Sequence, residues 1–158
     1  MNKVLVYIIV VFSFTSCNLF QKKKETDLVA EKQKMMDTDK AFSDMSVQKG
    51  MKNAFMEYID SNGVLLRPNQ MPVVGADAID YLIQINDSAY TLRWEPKHGA
   101  IAQSGELGYT YGLYELKLST KDSVIYGTYV SIWKKQSDGS WKFVLDSGNE
   151  GVGKEEQE

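Results

Sequence analysis

Few side chains in this 158-residue chain have both the type and the surroundings for chemistry, and the first is Asp39. It lies three residues after Met36 and three before Phe42, so a helix would place its carboxylate on the apolar face. An unpaired carboxylate there is costly, and burial would raise its pKa. We therefore expect Asp39 either to line a polar pocket or to pair with a base such as Arg67 or Arg93.

The second candidate is Asp146, near the end of the last predicted strand. Period-two alternation places it on the same face as Lys142 and Val144, while Trp141 and Phe143 lie on the other face. Both faces are partly apolar, so alternation alone does not decide which is concave. We expect Asp146 to point inward.

His98 and the aromatic side chains are weaker candidates. His98 lies in the segment PKHGA, which we interpret as a turn, and a turn histidine without an acidic neighbour is expected to be exposed. Aromatic residues could supply stacking surface for a flat ligand, although they are also ordinary strand formers and core residues. The aromatic candidates for ligand contact are Phe42, Phe55, Tyr58, Trp94, Tyr111 and Trp133.

Composition excludes several classes of function. The formal net charge of −3 and the pI near 5.3 provide no basic surface for nucleic acid. A single cysteine, Cys17, allows no disulfide within the chain, and with a single histidine it cannot build a Cys/His zinc site. No phosphate-binding or zinc-protease motif is present, and GNEGVG at 148–153 precedes no predicted helix. We expect neither a metal nor a cofactor.

The first 16 residues have the layout of an export signal, because a lysine precedes an apolar run that is too short to span a membrane. The sequence FTSC at 14–17 resembles a bacterial lipobox, in which lipid is attached to the cysteine. We predict a lipoprotein signal peptide at 1–16 and a tether at 17–27. Lipid on Cys17 would anchor the exported protein to a membrane of the bacterial cell envelope. The alternatives are an ordinary secretory signal with an incidental cysteine, or an uncleaved anchor.

Apolar periodicity predicts three helices that would position these residues. They begin at Leu28, at Met51 and near Gly75. The first should end near Lys49, and the sequence DSNG at 60–63 should end the second.

The rest of the chain has the alternation of strands. A short hairpin is predicted from 64–66 and 73–74, and a meander follows. Its predicted strands contain Tyr90–Trp94, Ala100–Ala102, Leu107–Leu118, Val124–Lys135 and Trp141–Ser147. Helices followed by strands are typical of an α+β domain, which we place at 28–150, with an acidic tail at 151–158.

Two motifs add a family resemblance. The first, V-x-x-x-P…G-x-x-A-I, runs from Val64 to Ile79, and the second, W-K-K-x-x-D-G-x-W-K-F-V-x-D, runs from Trp133 to Asp146. Together with the order of elements they resemble the nuclear transport factor 2-like superfamily, in its SnoaL-like bacterial branch. The resemblance implies a cystatin-like cone, in which three N-terminal helices pack on a curved antiparallel sheet around a pocket.

The same resemblance leaves the function open. It implies that a catalytic member would use a pocket carboxylate as general base, and a hydroxyl or second acid to stabilise an enolate-like charge. The candidates in this chain for the pocket acids are Asp146 and Asp39. The leading hypothesis is nevertheless a cell-envelope lipoprotein that binds a small, largely apolar ligand. The alternatives are an isomerase or cyclase, and a homodimerisation or protein-interaction module, so we leave undecided whether the protein is an enzyme.

Overall fold

A computed structural model of the chain describes residues 27–120 and 123–151. Cys17, the predicted signal peptide, nearly all of the predicted tether and all but the first residue of the predicted tail lie outside these ranges. Within them, no helix is long and apolar enough to cross a membrane.

Three helices form where the periodicity predicts them. They are α1 (Leu28–Lys49), α2 (Met51–Tyr58) and α3 (Ala76–Gln84). The side chain of Asp27 caps α1 by accepting hydrogen bonds from two of its first free N–H groups. Gly50 separates α1 from α2 and has a φ of +89°. A glycine suits this position because a positive φ is costly for residues that carry a Cβ.

Six strands form one sheet in the order β2-β1-β6-β5-β4-β3. They are β1 (Ile59–Leu66), β2 (Val73–Val74), β3 (Tyr90–Ile101), β4 (Leu107–Leu118), β5 (Val124–Lys135) and β6 (Trp141–Glu150). All neighbouring strands are antiparallel except β1 and β6, which are parallel. The α+β class and the three helices on a curved sheet are confirmed, but the sheet is mixed rather than wholly antiparallel because the last strand returns beside β1.

Helix α2 ends just before the segment DSNG at 60–63, as predicted, and β1 starts at Ile59 and runs through this segment with an irregular register against β6. One local prediction was wrong, because the segment around His98 is not a turn. It belongs to a single strand, β3, in which a register shift between Pro96 and His98 bends the strand without ending it.

Helix α1 covers the edge strand β3 with a face that is partly polar. The Oγ of Ser43 accepts a hydrogen bond from the Trp94 N–H at 2.8 Å and donates to the Trp94 carbonyl oxygen at 2.6 Å. The Oγ of Ser46 donates to the Leu92 carbonyl oxygen at 2.7 Å. These contacts satisfy main-chain groups that an edge strand would otherwise leave unpaired.

An aromatic core fills the space between the helices and the inner face of the sheet. Phe42 is at its centre, with its ring centroid 4.5 Å from that of Trp94 and 5.5 Å from that of Phe143. Glycine on the inner face lets the strands approach closely. A Cβ added to Gly112 would lie 1.9 Å from the carbonyl oxygen of Glu95.

We predict that Gly112→Ala lowers the free energy of unfolding by about 1–3 kcal/mol, because backbone must move to admit the methyl group. Gly148→Ala is the matched control in the same sheet. Its added Cβ would lie no closer than 3.4 Å to any neighbour, so the change should stay under about 1 kcal/mol. Urea unfolding of the purified variants measures both, and equal losses would contradict this account of the close approach at Gly112.

Candidate functional site

The candidate site is a cavity of about 350 Å³ between α2, α3 and the inner face of the sheet. Its lining is dominated by six aromatic side chains. These are Phe55, Tyr81, Tyr90, Trp94, Tyr114 and Tyr129. A larger groove of about 600 Å³ lies elsewhere, beside Tyr58 and Trp141. The smaller cavity is the better candidate because the buried Asp146 lines it and the buried Asp39 lies directly behind its wall.

Asp146 lines this cavity from β6, and its carboxylate has two donors. The Nη1 of Arg67 lies 2.9 Å from Oδ1, and the Oγ of Ser131 lies 2.8 Å from Oδ2. The side chains of Arg67 and Asp146 are 21% and 10% exposed. Partly buried charges of this kind are tolerated because they are paired and hydrogen-bonded.

A bulge explains how Asp146 comes to face inward. In the β5–β6 pairing, Leu145 is opposite Ile132 whereas Phe143 is opposite Trp133, so Val144 is an extra residue in β6. The bulge shifts the alternation by one residue. Asp146 therefore shares the inner side with Phe143, a residue that plain alternation places on the opposite face.

Asp39 is fully buried, and its partners are neutral side chains. The Trp94 Nε1 donates to Oδ1 at 2.8 Å, and the Tyr129 hydroxyl donates to Oδ2 at 2.7 Å. Burial raises the pKa of Asp39 to about 6, although hydrogen bonds from Thr110, Tyr129 and Trp94 oppose the rise. Both sequence expectations for Asp39 were therefore wrong, because it neither lines the cavity nor pairs with Arg67 or Arg93.

Tyr129 connects Asp39 to the cavity. Its ring lines the cavity while its hydroxyl donates to the buried carboxylate behind the wall. Burial, followed by the nearby charge and hydrogen bond of Asp39, raises the pKa of the Tyr129 hydroxyl, which therefore stays protonated. The next inner-face residue on β5 is Ser131, the donor to Asp146, so one strand supplies a donor to each acid.

The predicted aromatic contacts divide between the cavity and other places. Phe55 and Trp94 line the cavity. Phe42 and Trp133 are buried in the core, where the Trp133 Nε1 donates to the Thr110 hydroxyl at 2.8 Å. These two do not line the cavity because the helices and sheet pack directly around them.

Tyr58, Tyr111 and His98 lie outside the cavity. Tyr58 lines the larger groove. Tyr111 lies on the outer face of the sheet, 45% exposed and stacked against Tyr109 with 6.5 Å between ring centroids. His98 is exposed on β3, as expected, with its ring 6.0 Å from that of Tyr111.

Sequence reasoning missed Ser131 and the partnership of Arg67 with Asp146. The signal for Ser131 is its position between Tyr129 and Trp133 at a spacing of two, which places a small hydroxyl among large inward-facing aromatic side chains.

In the part of the chain that the structure describes, no group of three or more His, Cys, Asp or Glu side chains could hold a metal ion.

Comparisons with known proteins give a fold. No protein-family model and no curated protein matches the chain. Among solved structures, a ketosteroid isomerase-like protein from Erwinia carotovora atroseptica is 14% identical, with a TM-score of 0.63 over 78% of this chain and 98% of that one. A nuclear transport factor 2-like protein with a cystatin-like fold from Novosphingobium aromaticivorans is 12% identical, with a TM-score of 0.61 over 77% and 82%. This protein has the nuclear transport factor 2-like fold.

A third similar structure is a candidate scytalone dehydratase, also from Novosphingobium aromaticivorans, which is 12% identical with a TM-score of 0.63 over 78% of this chain and 86% of that one. At such identities the likeness concerns the fold alone. A fold of this kind hosts unrelated functions, so function has to be argued from the cavity's own residues.

We predict that Asp39 makes the protein less stable as the pH rises. Its pKa is 3.8 in ordinary surroundings and about 6 when folded, so the folded state binds the proton more tightly. This contribution is fully present below about pH 4 and is lost as the pH rises through 6. The free energy of unfolding of the wild type, minus that of Asp39→Asn, should fall by about 3 kcal/mol between pH 3.5 and pH 7.

Urea unfolding of both proteins across this range measures the difference. Above pH 7.5 Asp39 is ionised in both the folded and unfolded states, so the difference should be constant and provides an internal control. A difference that stays flat from pH 3.5 to 7 would contradict the raised pKa.

Proposed function

We propose that this protein is an exported, lipid-anchored member of the SnoaL-like branch whose cone binds a small, largely apolar ligand without transforming it. The observation that carries the proposal is an aromatic-lined cavity whose buried polar groups are already paired with one another. Small-molecule sites are typically concave, mostly apolar and supplied with a few polar groups that orient the ligand. The volume of about 350 Å³ is sufficient for a small, flat molecule.

Catalysis by proton abstraction is the alternative function. It is considered because the similar structures include a ketosteroid isomerase-like protein and a candidate scytalone dehydratase. The geometry favours binding. A general base loses its charge when it takes up a proton, and for Asp146 this would leave Arg67 without its counter-ion. Each oxygen of Asp146 accepts one hydrogen bond within the protein and keeps a lone pair for a hydrogen bond from a ligand. An enolate needs a donor, but the hydroxyl proton of Tyr129 goes to Asp39.

The cell-envelope location rests on the sequence around Cys17. A lipid on that residue would place the folded domain close to a membrane, since the 11 residues of the tether at 17–27 reach at most roughly 40 Å. The lysines at 22–24 could meet anionic headgroups. A cavity protein held at this distance is suited to ligands that partition near a membrane surface.

For the cavity, we predict that 2-naphthol, a flat apolar probe, raises the melting temperature of the wild type by mass action. Leu116→Trp should abolish the shift or weaken binding at least tenfold, because Leu116 lines the cavity. Lys117→Trp is the matched control, since Lys117 is exposed on the opposite face of β4. Thermal melts with probe titrations measure all three proteins. No shift in the wild type, or equal losses in both variants, would overturn binding in this cavity.

For the anchor, we predict that the protein isolated from membranes begins at Cys17 and carries acyl mass on that residue. Cys17→Ser should move the protein to the soluble fraction, because the serine hydroxyl is not the thiol that accepts the lipid. Intact-mass analysis and fractionation measure both outcomes. An unmodified Cys17, or an amino terminus at another residue, would contradict the lipoprotein assignment.

A further inference from the structure

Arg67 brings a positive charge into a cavity whose lining is otherwise mostly aromatic and aliphatic. The central carbon of its guanidinium lies 5.3 Å from the ring centroid of Phe55, and its Nη1 lies 2.9 Å from the Oδ1 of Asp146. Both of these partners line the cavity. Burial raises the pKa of Tyr90, which lines the cavity from β3, and the charge of Arg67 opposes that rise. The guanidinium, and not only the aliphatic stem, therefore lies at the cavity.

The protein uses only part of this guanidinium. A guanidinium donates from all of its nitrogens and has no lone pair to offer. The Nη1 of Arg67 donates to the Leu66 carbonyl oxygen at 3.1 Å, and to the Oδ1 and carbonyl oxygen of Asp146 at 2.9 and 3.4 Å. Within residues 27–120 and 123–151, Nη2 and Nε have no hydrogen-bond partner. Their N–H groups remain for a ligand or for water.

These unused N–H groups are accessible. Among the described residues, the only side-chain nitrogen that is enclosed by protein and lacks a partner is the Nε1 of Trp141, which lines the other groove. Nη2 and Nε of Arg67 lack a partner but are not enclosed, in a side chain that is 21% exposed. Open, unpaired donors in a largely apolar wall are typical of groups that orient a ligand.

The other polar groups of the lining do not duplicate this donor. Trp94 can also only donate, but its N–H is taken by Asp39 at 2.8 Å. Asp146 and Glu150 can only accept when ionised. The remaining hydroxyl groups can donate or accept and so adapt to either kind of ligand; they belong to Tyr81, Tyr90, Tyr114 and Ser147.

The charges of the lining disfavour an anionic ligand. Asp146 compensates the charge of Arg67, and the exposed Glu150 adds a further negative charge. Burial raises the pKa of the Tyr114 hydroxyl, and the charge of Glu150 adds to the rise, so this charge acts on the lining. A ligand carboxylate would meet an arginine that is already paired and two acids of its own sign. A carbonyl oxygen meets no such repulsion.

We infer that Arg67 is the main polar contact for a ligand, and that the cavity favours flat, neutral molecules whose acceptor oxygen, such as that of a ketone, receives a hydrogen bond from Nη2 or Nε. This inference rests on the proposed binding function and names its ligand class. Because a guanidinium is planar and rigid, the contact of Nη1 with Asp146 also fixes the directions of the other two nitrogens. The donor is therefore oriented before a ligand arrives.

The test compares 2-acetylnaphthalene with 2-isopropenylnaphthalene, in which a methylene group replaces the carbonyl oxygen. The two probes share their flat apolar body, so the comparison isolates the acceptor. We expect the ketone to bind the wild type roughly tenfold more tightly at pH 7.5, the effect of one hydrogen bond from a charged donor. The anion 2-naphthoate should bind more weakly than the ketone. Equilibrium dialysis measures all three affinities.

Variants assign the preference to Arg67. Removing Arg67 alone would leave Asp146 without its counter-ion, so Arg67→Met is combined with Asp146→Asn. In this double variant the preference for the ketone over the hydrocarbon should fall to about one. Arg93→Met is the matched control, because Arg93 is exposed and does not line the cavity, and it should retain the wild-type preference. Asp146→Asn alone leaves the charge of Arg67 uncompensated and should tighten the binding of 2-naphthoate several-fold.

The ratio of affinities distinguishes a ligand contact from a merely structural role, which would weaken all probes equally. The inference is overturned if ketone and hydrocarbon bind equally to the wild type, or if the preference survives in the double variant. It is also overturned if 2-naphthoate binds the wild type more tightly than the ketone, or if Asp146→Asn leaves the affinity for 2-naphthoate unchanged. Equal binding of ketone and hydrocarbon would leave the proposed binding function standing. If none of the three probes binds to the wild type, that function fails and takes the inference with it.

Discussion

The hydrogen bonds to the buried carboxylate of Asp39 are the contacts on which the cavity depends. They join the middle of α1 to β3 through Trp94 and to β5 through Tyr129, and both of these rings form part of the cavity wall. An isolated carboxylate in an apolar core is strongly unfavourable. The folded state can therefore bury Asp39 only while these donors stay in place. The same contacts therefore position the helix on the sheet and hold two rings of the site.

The serines of α1 extend this polar attachment along the helix. Ser43 and Ser46 follow Asp39 at spacings of four and three, which place all three on one helix face. Ser43 and Ser46 bond to main-chain groups of β3, which, within residues 27–120 and 123–151, pairs in the sheet with β4 alone. Hydrogen bonds fix direction and register more sharply than apolar contact does, so α1 can hold the two rings in defined orientations.

The sequence predicted the elements better than it predicted the contacts. The bounds of α1, β4 and β5 follow from apolar periodicity because long regular elements repeat the pattern several times. The bulges in β3 and β6 were not predicted, since one extra residue reverses the alternation without leaving a sequence signal of its own. The inward face of Asp146 depends on such a bulge, at Val144. Spacing on α1 predicted that Asp39 would be buried, but its donors lie 55 and 90 residues away, and no local pattern identifies them.

The two acids are best understood as one arrangement organised by β5. Tyr129 and Ser131 lie two residues apart on its inner face, and each donates its proton to a different aspartate. Burial, with a smaller contribution from the charge of Asp146, raises the pKa of Asp39, whose hydrogen-bond partners are neutral side chains, whereas Asp146 forms an ion pair with Arg67. The Tyr129 hydroxyl and the carboxylate of Asp146 already have partners within the protein, so affinity for a ligand must come mainly from the aromatic surfaces of the cavity.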